Sequence, residues 1–251
     1  MKTSQTRSFA RAGRALATSI ACLLAARPAR ADLNWDAIFN NGAIDGGAGY
    51  YWNSTYTNWT STGALNTVRD STGAIFGGTA GLVTIATAGG GVSATGLTFN
   101  TAGYTIAGDA FDGSATDDTL TLTGGAAVVA NANATIRTIV AGTAGLNLSG
   151  AGTLTLTNTA NSFTGGVTIN GATLSIAGQG TGDPTILGSG TKNVTLSNGG
   201  TLRITSGNFD PNASTKNLDC EPAQSDQILQ RRGHDHPALR AWIFRIHRQP
   251  R

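Results

Sequence analysis

Residues 32–210 contain neither cysteine nor histidine; the two cysteines, Cys22 and Cys220, and the three histidines, His234, His236 and His247, lie outside that stretch. Without histidine a Ser–His–Asp centre cannot be assembled there, and no G-x-S-x-G elbow is present. Without cysteine there is no disulfide framework, although an exported chain of this size could have used one. Disulfides would hinder a chain that crosses an outer-membrane pore unfolded, so their absence agrees with such a route. Charge is also scarce, at 12% of residues. The stretch has four cations, Arg69, Arg137, Lys192 and Arg203, spread one per region. That pattern offers no basic track for nucleic acid, and no clustered Asp, Lys and Arg of the kind with which some β-helices cleave polysaccharides. Asp117–Asp118 is the only adjacent carboxylate pair, and strand neighbours point to opposite faces, which argues against glycoside hydrolysis. No catalytic, cofactor-binding or metal-ligating residue is expected, and the chain is not expected to be an enzyme.

The net charge of +3 belongs to the two ends. Residues 1–31 hold six cations and no acid, and residues 211–251 hold seven cations, whereas 32–210 carries −6. A basic pI therefore says nothing about the main body. The first 14 residues are basic, and Ala15 to Ala26 form an apolar run too short to span a bilayer comfortably. Ala29-Arg30-Ala31 supplies the small residues a signal peptidase reads, so cleavage is expected after Ala31. Arg27 and Arg30 interrupt the run and argue against an uncleaved anchor. Ser19-Ile20-Ala21-Cys22 is a poor lipidation signal, and no arginine pair marks a twin-arginine route. The expected location is secreted or cell-surface, by way of the periplasm and outer membrane.

What the chain has in quantity is glycine, 35 residues of 251, with Thr, Val and Ile running through its middle. That combination favours many short strands joined by glycine turns. In the stretch GAGTLTLTNTANSFTGGVTINGATLSIAG, from Gly150 to Gly178, period-two alternation recurs three times. Leu154 and Leu156 share one face, as do Val167 and Ile169, then Leu174 and Ile176. Val167–Ile176 matches Val194–Ile204 with one inserted residue, and Asn170-Gly171 and Asn198-Gly199 supply turns in the two copies. Upstream, TLTLTGG at Thr119–Gly125 echoes TLTLTN at Thr153–Asn158. Strand repeats of twenty-odd residues are the signature of a β-solenoid, whose coils bury their apolar faces only by stacking. At about 20–25 residues per coil, residues 32–210 would make roughly 7–9 coils. A β-sandwich is the alternative, but sandwiches rarely repeat in sequence.

The same run resembles the autotransporter-associated β-strand repeat, with its TLTLT strand, its Asn161, Phe163, Thr164, Gly165, Gly166 step and its closing pair of strands. Trp35, Trp52, Trp59, Ala74-Ile75-Phe76-Gly77-Gly78, Leu97-Thr98-Phe99 and Gly103-Tyr104-Thr105-Ile106 resemble the start of such passengers. The resemblance covers residues 32–210 and is strongest at 145–178. It implies an all-β, right-handed parallel β-helix, exported through an outer-membrane translocator barrel that this chain lacks.

Eight of the 16 aromatics fall between Trp35 and Phe76. They read either as a carbohydrate-binding platform or as an aromatic-rich cap over the first coil. The cap is favoured, because solenoids need atypical terminal units. The expected organisation is a signal peptide at 1–31, a cap at 32–76, β-helix repeats at 77–210 and an atypical basic tail at 211–251. That tail loses the glycine and threonine texture. It reads as disordered or out-of-frame sequence of a truncated chain. Arg240 to Arg248 mixes cations with aromatics, and Cys220, His234, His236 and His247 could ligate a metal, but neither reading is preferred. Asp109, Asp112, Asp117 and Asp118 form an acidic stretch, read as a solvent-facing loop rather than a calcium site. The function expected is a passenger acting as adhesin, stalk or display scaffold. Its partners would be a host or neighbouring-cell surface or extracellular matrix, with self-association through an open β-helix edge. The alternatives are a stalk of an enzyme-bearing passenger and a short secreted glycan-active β-helix.

Overall fold

The computed structural model describes residues 31–68, 72–86, 91–109, 118–177, 185–189 and 193–205, together with the backbone alone of 192, 216–220 and 242–245. The signal-peptide reading, apart from Ala31, lies outside the described residues. So do Arg69, Asp112, Asp117 and the three histidines of the tail.

Alternating Thr/Leu and Thr/Ile segments cannot bury their apolar side alone, and the chain solves this by visiting the same faces repeatedly. One sheet runs from Leu33–Trp35 through Ala74–Phe76, Gly91–Phe99, Thr119–Ala130, Leu146–Ser149, Val167–Asn170 and Lys192–Ser197 to Lys216–Cys220. A second runs from Tyr50–Trp52 through Leu82–Ile85, Tyr104–Gly108, Ala134–Ile136, Thr153–Leu156 and Thr173–Ile176 to Thr201–Ile204. The chain alternates between the two, and successive visits pair in parallel. The fold is a β-solenoid, as expected. A shorter third side begins as paired strand, with Gly91 beside Thr119 and Thr119 beside Ile139. It continues as single main-chain bonds, Ser162 N–H to Val140 O (2.9 Å) and Ser189 N–H to Phe163 O (3.0 Å).

Stacking converts sequence alternation into columns. Ala74, Leu97, Val128, Leu148, Ile169 and Leu196 follow one another up the inside of the first sheet. Val83, Ile106, Ile136, Leu156, Ile176 and Ile204 do so in the second. All twelve are buried, and each of the larger side chains contributes about 1.5–3 kcal/mol by leaving water. The matched segments Val167–Ile176 and Val194–Ile204 sit directly in register, and the inserted residue is absorbed at the corner. Gly171 alone is left-handed in the first turn, with φ 74°, whereas Asn198 (φ 49°) and Gly199 (φ 80°) both are in the second.

Two expectations need correction. Coil length is not confined to 20–25 residues: hydrogen-bonded corner residues in successive coils are 20 apart at Asn133 and Thr153, 28 apart at Asn170 and Asn198, and 31 apart at Asn100 and Asn131. Length varies because only the strands are held in register, while the corners accept extra residues. The echo of Thr119–Gly125 in Thr153–Asn158 also misleads. Thr119 pairs on the third side and Thr153 in the second sheet, so the same short strand serves different faces.

At the first coil, Trp35, Trp52, Trp59 and Phe76 are buried and pack ring against ring, with centroids 5.2 Å apart for Trp35–Trp59 and 5.0 Å for Trp52–Trp59. Phe76 stacks on Phe99 at 5.0 Å. These rings fill the core and form no exposed platform. Trp59–Thr60 pairs antiparallel with Leu33–Trp35, so it covers the first strand's outer edge. At the other end the tail, read as disordered or out-of-frame, supplies two paired segments. Lys216–Cys220 pairs in parallel with Lys192–Leu196, and Trp242–Arg245 pairs antiparallel with Thr201–Ile204.

Candidate functional site

The Asn161–Phe163 step explains why the repeat needs those residue types. Phe163 is fully buried and fills the third side where no strand pairing supports it. Asn161 is 3% exposed, and its amide bridges three coils. Its Oδ1 accepts the Val140 N–H from the coil below (2.8 Å), and its Nδ2 donates to the Ile186 carbonyl above (2.8 Å). The side chain replaces the main-chain pairing that lapses there, satisfying groups that would otherwise be buried without partners. Asn158 does the same at the preceding corner, donating to the Arg137 carbonyl (3.0 Å) and accepting the Ala160 N–H (2.8 Å). Gly145 (φ 86°) lies so close to the next coil that a Cβ would sit 2.0 Å from the Gly166 carbonyl oxygen. These residues build the coil and leave function to its outside.

Residues 146–176, from the start of Leu146–Ser149 to the end of Thr173–Ile176, match the family described as passenger-associated-transport-repeat. That stretch carries a passenger-associated transport repeat. Over 140 residues, 55% of this chain, it is 38% identical to a protein named adhesin BmaC autotransporter from Brucella suis biovar 1 (strain 1330). That match covers 4% of the relative, so the chain spans a small fraction of its length. No solved structure matches the chain. The resemblance to autotransporter passengers read from the sequence holds, and the passenger repeat is one coil and a half of the solenoid.

The outer face of the second sheet carries a column of varied side chains. By register, Leu82, Thr105, Thr135, Thr155, Ser175 and Arg203 form one outward column. Arg203 leans back on its neighbour, with its guanidinium donating to Ser175 Oγ at 3.1 and 3.3 Å. Beside this column a groove of about 650 Å³ opens among Leu82, Ala107, Gly108, Arg137, Thr157, Asn158, Thr159 and Ala160. Small residues make its floor, and among the described residues that line it Arg137 is the charged one. Rings stand at the N-terminal end: the exposed Phe39 and Tyr50 meet edge-on at 5.0 Å, and the half-buried Tyr51 meets the exposed Tyr56 at 5.7 Å. Arrangements of this kind can hold a ligand by stacking, by apolar contact and by one cation, but offer no acid–base pair.

Within the acidic stretch, Asp118 differs from its reading as part of a solvent-facing loop, while Asp112 and Asp117 lie outside the described residues. Asp118 is buried at 2% exposure, its Oδ2 accepts the Asp109 N–H (3.0 Å), and its carbonyl accepts the Thr138 hydroxyl. It ties two corners together. Arg137 was legible in the sequence only as a lone cation. The groove around it was not, because it depends on which residues of three coils become neighbours.

Proposed function

We propose that the chain is a stalk-and-display segment of a secreted or surface-displayed passenger with an adhesin-like role, and that the groove at Arg137 with the adjoining face of the second sheet is its contact surface. The observation that carries this reading is the groove itself, in which small side chains surround Arg137 beside a column made mostly of threonine and serine. The adhesin name of the relative supports it. The aromatic-rich section at 32–76 acts as a cap that keeps the first coil from templating aggregation. The role is non-enzymatic: the groove can bind a saccharide or peptide of a host surface or matrix, and among the described residues of its lining there is no group to move a proton.

The test is adhesion of beads coated with the full chain to cultured cells and to a glycan array. Arg137→Ala and Leu82→Asp, both on the surface, should leave folding intact and lower adhesion by tenfold or more. Undiminished adhesion in both variants refutes the assignment of the groove. Turnover of any bound glycan would refute the non-enzymatic reading.

A further inference from the structure

Asp36 and Asn58 are both completely buried, and each keeps one oxygen without a partner. They stand opposite one another one residue beyond the antiparallel strands Leu33–Trp35 and Trp59–Thr60. Trp35 pairs with Trp59, and the Asp36 N–H donates to the Asn58 carbonyl at 2.9 Å. Opposite residues of such a pair present their side chains on the same side, with Cβ atoms about 4.5–5.5 Å apart. Asp36 Oδ1 accepts the Ile38 N–H (3.2 Å) and, at longer range, the Asp45 N–H (3.5 Å), while Oδ2 has nothing. Asn58 Nδ2 donates to the Tyr51 carbonyl (2.7 Å), which fixes the amide orientation and leaves Oδ1 as the unpaired atom.

Both unpaired atoms are therefore acceptors, and one belongs to a carboxylate. A buried charge is costly unless it is paired or coordinates a metal. Residues 31–68 contain no Lys, Arg or His, and the half-buried Asp45 beside Asp36 adds negative charge. The charge at Asp36 contributes to raising the pKa of the nearby Tyr104, after burial. Nothing among the described residues supplies the positive charge this pocket calls for.

We propose that Asp36 Oδ2 and Asn58 Oδ1 are two ligands of a buried cation site at the first coil, taken by Ca²⁺. The donors are all oxygen, the set a hard cation prefers, and carboxylate, amide and carbonyl oxygens with water complete its coordination at about 2.3–2.6 Å. The ion joins the strand Leu33–Trp35 to its antiparallel neighbour and so fastens the end at which the solenoid begins. One carboxylate among the two side-chain ligands gives modest affinity, matching the roughly 0.1–1 mM range of extracellular calcium modules.

The experiment uses the full chain, stripped with a chelator and titrated with Ca²⁺, with Mg²⁺ and Na⁺ as comparison ions. Bound calcium is measured by equilibrium dialysis and stability by thermal melting. At tenfold excess over Kd, the melting temperature should rise by about 3–6 °C. Asn58→Asp adds a second carboxylate and is the deciding variant: calcium should bind about tenfold or more tightly, with a larger thermal shift. Asp36→Asn should abolish both binding and shift. A wild-type chain that binds no calcium at millimolar concentration overturns the proposal. So does an Asn58→Asp variant that is destabilised and not rescued by calcium, the result expected if the two oxygens share only a water.

Discussion

Removing the Asn161 amide should cost more than its size suggests. Asn161→Ala deletes a side chain that holds the Val140 N–H and the Ile186 carbonyl at 2.8 Å each, in a site where Asn161 is 3% exposed. Both main-chain groups stay buried, and leaving each unpartnered costs about 1–3 kcal/mol. A loss of about 3–5 kcal/mol follows once the small cavity is included. Because a solenoid unfolds locally, the loss should concentrate in the adjoining coils. Hydrogen exchange followed by mass spectrometry should show faster exchange at Val140 and its neighbours, and little change in the first coil. Asn161→Asp sharpens the argument. At neutral pH its carboxylate still accepts from Val140 but faces the Ile186 carbonyl, so it should be at least as damaging. It should recover as acid restores a proton that can be donated. An Asn161→Ala chain within about 0.5 kcal/mol of wild type in urea unfolding, with Val140 equally protected, would refute the claim that the amide replaces missing strand pairing.

Three other outcomes are expected. Gly145→Ala would force a Cβ to within 2.0 Å of the Gly166 oxygen at a φ of 86°, whereas Gly125→Ala meets nothing within 4 Å. The first should lower stability by about 3 kcal/mol or more and the second by less than about 1, measured by thermal melting; equal effects would mean the coils are not packed as closely as described. Burial pushes the Tyr104 phenol from 10.0 up to about 12, while its hydroxyl shares a proton between the Gly77 (2.5 Å) and Thr79 (2.8 Å) carbonyls. The neutral phenol thus stabilises the fold fully below pH 10, and on the order of 2–3 kcal/mol is lost as pH rises towards 12. Tyr104→Phe should remove that component of the alkaline transition while costing about 1–2 kcal/mol at neutral pH, and an unchanged alkaline profile would contradict the burial of the hydroxyl. A chain ending at residue 210 loses the strands that pair with Lys192–Leu196 and Thr201–Ile204. It should self-associate through the freed edges, and a monodisperse monomer by light scattering at high concentration would count against this.

The strands were legible because alternation is a strong local signal, and Leu154, Leu156, Val167, Ile169, Leu174 and Ile176 all point inward as the alternation requires. The copy at Val194–Ile204 was legible for the same reason, since an insertion at a corner leaves both flanking strands in phase. What alternation does not contain is the face a strand will occupy. Thr119–Leu122 and Thr153–Leu156 have the same sequence, TLTL, and sit on different sides, because the face is set by the corner residues between strands. The buried Asp36 and Asn58 were illegible for a related reason. Each looks like an ordinary loop residue until the chain between them folds back and buries both, one opposite the other.

The same physics explains why a shared repeat says little about what is bound. Each inward column asks only for an aliphatic side chain of roughly the right size, and each corner asks for glycine or for an asparagine able to satisfy main-chain groups. Those demands fix Leu154, Leu174, Asn161 and Gly145, and every coil must meet them. The outward positions are free of them. Thr105, Thr135, Thr155 and Ser175 occupy one column where Leu82 and Arg203 also fit, and the strand beneath is undisturbed by the change. Selection for stability therefore holds the inside constant, while selection for contact can act on the outside one residue at a time. Arg137 breaks the run of small uncharged neighbours beside it, between Ala107 and Thr157, at a place where a groove has opened. A charge that the coil does not need, set where the coil leaves room, is therefore free to answer to a contact and not to the fold.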